Sequence, residues 1–248
     1  MNVGPGIKIA MYLRSLAIQG SWNYRTLIGT GFAFAMVPVL RAIYNGRPDA
    51  LGQAIERHRQ LFNSHPYLVG VALGAVARLE AEGEEPRTIE RFKSAVRGSL
   101  GGLGDRLIWA GWRPVWTITA ILLVSLGLPW WVAVATFLVG YNIGHLGLRG
   151  WGFHIGYYHG REVASELRRA HVANVQDRLA DAGALLLGML LPLSVLASPV
   201  GPAPGLPWLI AAVAAAVLGI RFGTAIRMPV VAALVMVMFV ALVVGAIQ

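Results

Sequence analysis

The chain reads as an all-α, polytopic membrane protein with spanning helices, re-entrant half-helices and amphipathic interfacial helices. Three observations predict this class. Hydrophobic residues fill 56% of the 248 positions and charged residues only 13%, whereas an ordinary soluble domain carries roughly 25% charge. Mean hydropathy is +0.60. Beyond Arg178 the basic residues are Arg221 and Arg227 alone, so the C-terminal part is almost wholly apolar. Residues 1–248 are expected to form one membrane domain, amphipathic and re-entrant over 1–114 and mainly transmembrane over 115–248.

Composition also excludes function classes. The net charge of +9 comes from basic residues scattered singly among apolar segments. Such a pattern suits anionic lipid headgroups and argues against nucleic acid, which needs a basic face. With no cysteine, there is neither a disulfide framework nor thiolate catalysis. Met1 to Gln19 carries Lys8 and Arg14 inside a weak apolar stretch, without the pattern of a cleavable signal, so the mature chain is expected to start at Met1.

Taken in order, Leu27–Tyr44 and Tyr67–Leu79 are apolar but short, the first broken by Pro38 and the second headed by Pro66. Their lengths fit re-entrant half-helices, and equally core or interfacial helices. Between them Asp49–Asn63 sets Leu51, Ile55, Leu61 and Phe62 against Glu56, Arg57, Arg59 and Gln60, an amphipathic helix for a membrane surface or a partner. Glu80–Phe92 reads as solvated and cytoplasmic, with Glu82, Glu84 and Glu85 in a surface turn made by Gly83 and Pro86.

Gly98–Pro114, GSLGGLGDRLIWAGWRP, is a glycine-dense break holding Asp105, Arg106 and Arg113 directly before the apolar run Val115–Tyr141. Irregular polar backbone at membrane depth is tolerated only where protein covers it or it lines a cavity, so the segment predicts a transport pathway. Both flanks of the run are basic, so either Gly127–Trp131 divides it into two half-length helices that enter and leave on one side, or another crossing lies upstream. His145–Asp181, with Arg149, Arg161, Arg168, Arg169 and Arg178, is assigned to the cytoplasm by its basic residues. Ala182–Leu196, Leu206–Ile220 and Pro229–Ile247 are three expected spans, leaving the C-terminus outside.

Four strings go beyond membrane character: Ser21-Trp22-Asn23-Tyr24; His58 with Phe62-Asn63-Ser64-His65-Pro66; Gly98 to Asp105 with Trp109 and Arg113-Pro114; and Gly140-Tyr141-Asn142 with His145, Arg149, Gly156-Tyr157 and Gly160. In this order they resemble the IID subunit of the mannose/fructose/sorbose family of the phosphoenolpyruvate-dependent sugar phosphotransferase system. The resemblance implies a bacterial inner-membrane permease subunit that pairs with a IIC subunit, imports a hexose, and draws phosphate from soluble IIA and IIB subunits. It implies a hetero-oligomer, a trimer of IIC–IID pairs, and a chain that is no enzyme alone because the phosphoryl-carrying histidines lie elsewhere. Two alternatives stand beside it: a regulatory or docking membrane subunit that has lost transport, and an unrelated secondary transporter.

Within that frame Asp105 is the first substrate or pathway candidate, because a carboxylate accepts hydrogen bonds from sugar hydroxyls while Trp109 offers a pyranose an apolar face. The alternative for Asp105 is structural, as a helix cap or a partner of Arg113. Asn63 and His65, at the head of an apolar half-helix, rank second, with helix capping as their other role. Trp22 and Asn23 are read as partner contacts, and so are His145 and Arg149, four apart on one helical face. His145, His154 and His159 do not share a face and lack companion ligands, so no metal is expected, nor any other cofactor. The chain departs from the family's usual Gly-Pro-Leu at Gly98-Ser99-Leu100, and from Gly-Asp-Ser at Gly104-Asp105-Arg106. A cation at Arg106 could pair with Asp105 and withdraw it from the sugar.

Overall fold

Proline and glycine set most of the helix boundaries. In the computed structural model, which describes residues 3–196 and position 214, Pro5, Pro48 and Pro86 each occupy the first turn of a helix. There the missing N–H costs nothing and the ring presets φ. These open α1 (Pro5–Ser15), α3 (Pro48–Arg59) and α5 (Pro86–Gly104). The remaining helices are α2 (Gly29–Ile43), α4 (Val69–Glu82), α6 (Arg113–Ser125), α7 (Trp130–His159), α8 (Val163–Arg169) and α9 (Val172–Leu196). Gly83, left-handed at φ 77°, ends α4: its N–H reaches Glu80 O at 3.1 Å and that of Glu84 reaches Leu79 O at 3.1 Å, a Schellman closure.

Several boundaries differ from those the residues predicted. Pro38 lies inside α2 without ending it, because the flanking Ala35, Met36, Val39 and Leu40 are all fully buried and tertiary packing outweighs one lost backbone bond. Helix α3 stops at Arg59, four residues short of Asn63, and Gln60 turns extended at ψ 170°. That turn frees Phe62 to pair its backbone with Thr26 and Ile28, at 3.2 and 3.1 Å.

The glycines of Gly98–Gly104 do not break the chain. Helix α5 passes into a π-helical segment, Asp105–Trp112, and then into α6, giving 40 helical residues from Pro86 to Ser125. The wider π turn distorts the ladder and keeps it hydrogen-bonded, which membrane depth demands. The turn at Gly127, φ 86°, does split the apolar run, and α7 then continues through Tyr141 to His159. A second helical run, Trp130–Arg169, also spans 40 residues, and both runs are long and apolar enough to cross a membrane. Trp130 and Trp131 at its head are 72% and 60% exposed, as aromatic residues at a membrane boundary are. The segment His145–Asp181 is helical over most of its length. Of the three C-terminal spans expected, Ala182–Leu196 lies in α9, while Leu206–Ile220 and Pro229–Ile247 lie outside the described residues.

The chain forms two compact units, Met1–Trp112 with Gly140–Gln176, and Arg113–Val139 with the chain from Asp177. In the first unit α4 is the core helix, with twelve of its fourteen residues buried. It crosses α7 through facing glycines: Gly70 and Gly74 on α4, Gly152 and Gly156 on α7. A Cβ on Gly74 would lie 2.6 Å from Tyr157 N and on Gly156 2.9 Å from Ala75 N, closer than real atoms approach. Each helix carries the small-xxx-small spacing that lets backbones touch. In the second unit a Cβ on Gly183 of α9 would lie 3.8 Å from the Val115 side chain of α6, an ordinary contact.

Candidate functional site

His65 sits in the three-residue approach to α4, and its ring is held on three sides. Tyr67 N–H donates to its Nδ1 at 3.2 Å, which leaves the ring proton on Nε2. The rings of Tyr67 and Trp109 meet it edge-on at 5.2 and 5.5 Å. Gly104, the last residue before the π segment, lies so close that any Cβ there would strike the imidazole. The residue is 2% exposed. Burial lowers its pKa to about 4, outweighing the nearby Asp105 charge, which pulls the other way. His65 is therefore neutral at physiological pH and presents Nε2–H as a donor; this buried nitrogen has no hydrogen-bond partner among the described residues. A buried polar atom left unsatisfied costs about 1–3 kcal/mol, which a polar ligand beside Trp109 would recover.

A second layer supports that ring. Tyr67 and Tyr141 share a hydroxyl hydrogen bond at 2.9 Å, and Tyr67 stacks on His145 with centroids 3.9 Å apart. Arg149 donates through Nε to His145 Nε2 at 3.0 Å and through Nη1 to Ser15 O at 2.6 Å, and its guanidinium lies 5.2 Å from the Tyr67 ring centre. Trp112 donates to Tyr141 O at 3.3 Å. One polar, aromatic network thus ties α1, the approach to α4, the π segment and α7 together. It draws on three of the four family-like strings. The string at Ser21–Tyr24 reaches the same neighbourhood through backbone: Leu27 bridges Asn23 and Phe62, at a left-handed φ of 53°.

The predicted residues fall in different places. His65 and Trp109 are in ring contact; Asp105 is exposed on the first turn of the π segment, close enough to favour the His65 imidazolium. No ion pair joins Asp105 to Arg106. Asn63 is exposed, two residues before His65. Arg113 opens α6 and belongs to the second unit. Trp22 is 46% exposed and packs edge-on against Tyr24 at 4.8 Å, while Asn23 caps its turn through Oδ1 to the N–H groups of Arg25 and Thr26 at 3.0 and 2.9 Å. Arg149, expected at a partner or headgroup surface, is 4% exposed and satisfied inside the unit; His145 is half-buried beneath Tyr67. Among the described residues no group of three metal-ligating side chains gathers.

Sequence reasoning missed a buried charge cluster. Glu80, placed in a solvated stretch, is 2% exposed. Its Oε1 accepts from Arg57 at 2.6 Å and His58 at 2.8 Å, and its Oε2 from Tyr44 at 2.7 Å. Burial would raise its pKa, but these hydrogen bonds prevail and hold it at about 2. Burial lowers His58 to about 4. Lys93 donates to the carbonyls of Arg57 and His58 at 3.2 and 3.3 Å. The sequence does not single Glu80 out, because Arg78 and Glu82 lie on the same last turns of α4.

Helices throughout the described residues, with two apolar runs of spanning length, define a helical membrane protein by class. Residues 7–199 match the family model of the PTS system mannose/fructose/sorbose family IID component, and the chain belongs to that family. It is 30% identical over 185 residues to the PTS system mannose-specific EIID component of Escherichia coli K12, covering 73% of this chain and 65% of that protein. It is 30% identical over 194 residues to the PTS system sorbose-specific EIID component of Klebsiella pneumoniae, covering 76% and 68% respectively. The chain thus spans about two thirds of the length of these relatives. Its fold is similar to a chain in the cryo-EM structure of the mannose transporter ManYZ with microcin E492, TM-score 0.61 at 22% identity, covering 98% of this chain and 96% of that one. A solved membrane protein aligns with TM-score 0.65 at 27% identity over 77% and 71%.

Proposed function

We propose that this chain is a permease subunit of the bacterial inner membrane that acts with a IIC subunit to import a hexose of the mannose, fructose or sorbose class. Soluble IIA and IIB subunits supply the phosphate, so the chain carries no phosphoryl group itself. The pairs assemble as a hetero-oligomer, a trimer of IIC–IID units. The observation that carries this reading is the family match over residues 7–199, joined to an unsatisfied donor, His65 Nε2, lying against Trp109. A hexose needs both kinds of contact, a ring face to lie on and fixed polar groups for its hydroxyls. Asp105 supplies an acceptor near the same ring; with no Arg106 ion pair, that carboxylate is not withdrawn from a sugar by its neighbour. Asn63 flanks the entrance to α4, and Arg113 extends the polar series along the next helix. Trp22 and Asn23, exposed on a capped turn, suit a protein contact.

The test is uptake of labelled hexoses in a transport-null bacterium expressing the chain with IIC, IIB and IIA partners. Phosphorylated sugar accumulates with the native chain and falls by roughly tenfold or more in His65→Phe or Asp105→Asn, each removing one hydrogen-bonding role. Complete complexes that move no hexose overturn the permease reading in favour of a regulatory or docking subunit.

A further inference from the structure

A cavity in the first unit, about 740 Å³, is lined by α5, the π segment, α8 and the head of α9, with Val71 of α4. His65 does not line it. No acidic residue does either, which sets it apart from a sugar site, since hydroxyls need acceptors as well as donors. Its charged lining is basic, Arg106 and Arg168, with His171 and Asn174 beside them. Neither arginine forms an ion pair among the described residues, although Arg169 next door is paired with Glu166 at 2.6 Å. Apart from Ser99, the rest of the wall is apolar, including Val96, Leu100, Leu103, Leu167 and Val172. Gln176 Nε2 fastens α9 to Leu103 O at 3.3 Å and so holds two walls together. Gly98 and Gly102 lie in the lining one helical turn apart, and a Cβ on either would meet nothing within 4 Å. These glycines keep volume open rather than permit packing.

We propose that this cavity binds an anionic membrane phospholipid, its phosphate held by Arg106 and Arg168 and an acyl chain lying along the aliphatic wall. Guanidinium groups clasp phosphate with paired hydrogen bonds, and the volume falls within the range of sites that enclose small ligands. The aliphatic lining favours a lipid over free phosphate, which would gain nothing from it. The site stands independently of the sugar being carried.

The test uses the full chain, purified in detergent and stripped of lipid, with phosphatidylglycerol, phosphatidylcholine and inorganic phosphate as separate probes. Binding is read by native mass spectrometry and by the melting temperature. Phosphatidylglycerol is expected to bind about tenfold more tightly than phosphatidylcholine, and the double variant R106Q/R168Q to lose about that factor. Gly102→Leu fills the cavity from a helical position that tolerates a side chain, so it should block the lipid while leaving the lipid-free melting temperature close to native. Arg41→Gln, at an exposed arginine on α2, should bind like the native chain. Equal binding of the two lipids, or unchanged phosphatidylglycerol binding in both R106Q/R168Q and Gly102→Leu, overturns the proposal. Stabilisation by inorganic phosphate equal to that by the lipid overturns the lipid assignment and leaves a free-phosphate site.

Discussion

Glu80 makes the strongest demands of any single side chain. One carboxylate takes hydrogen bonds from Tyr44, Arg57 and His58, so removing it leaves Arg57 buried without its counter-charge. Glu80→Ala is expected to cost about 3–5 kcal/mol, the usual loss when one partner of a buried pair is removed, visible as a lower melting temperature in detergent. The pH dependence follows from the same cluster. His58 binds a proton near 6.5 when unfolded and near 4 in the fold. Stability is complete above that interval and declines as pH falls through it, because only the unfolded state gains the proton. Glu80, at about 2 in the fold against 4.5 unfolded, adds a second loss below 4.5. Replacing His58 with Phe should shrink the first decline in a melting-temperature series, leaving the part due to His65, and should shrink the second as well, because His58 holds one of the hydrogen bonds that keep Glu80 low. His65 was legible because a polar residue before Pro66 at a helix entrance is conspicuous; Glu80 was not, because glutamates follow it at 82, 84 and 85 and burial is a tertiary fact.

At the scale of elements, the α4–α7 crossing depends on backbone contact. Gly74→Ala or Gly156→Ala forces a methyl into opposing main chain, with an expected cost at or above the 1–3 kcal/mol of ordinary overpacking. Gly152→Ala meets only the tip of Val71, at 3.0 Å, and should cost less. Gly101→Ala, facing open space, should be neutral or stabilising. Thermal unfolding of the four variants tests the order. The sequence reading passed over the two glycine pairs and took glycine density as a broken helix at 98–104. Spacing alone does not say whether a glycine meets a neighbouring backbone, a ring or open space, and here Gly74, Gly104 and Gly102 do one each. The π segment was hidden as well: nothing in DRLIWAGW forbids an ordinary α-helix, and the wider turn becomes visible only once His65 is seated against Gly104.

For the whole molecule, all-helical membrane character was readable from composition, since a chain with so few charges cannot clothe a soluble surface. Sidedness can be checked directly, because the chain has no cysteine and every introduced thiol is the sole target. Glu84 and Arg161 form an ion pair, so both lie at one membrane face. By the excess of arginine around Arg161 to Arg178, that face is expected to be the cytoplasmic one. Glu82→Cys and Arg168→Cys should each react with a membrane-impermeant maleimide only after the cells are opened. Labelling of intact cells would invert the orientation.

The buried cluster around Glu80 also bears on how the protein is made. Its charges come from α3, α4 and α5, with the Tyr44 hydroxyl after α2 as a further hydrogen-bond donor, and each charge becomes tolerable only when the others are in place. A helix carrying one of them into lipid alone would face the penalty of an unpaired charge, and α4 is too short to span by itself. The first unit therefore cannot be assembled by parking finished helices in the bilayer one at a time.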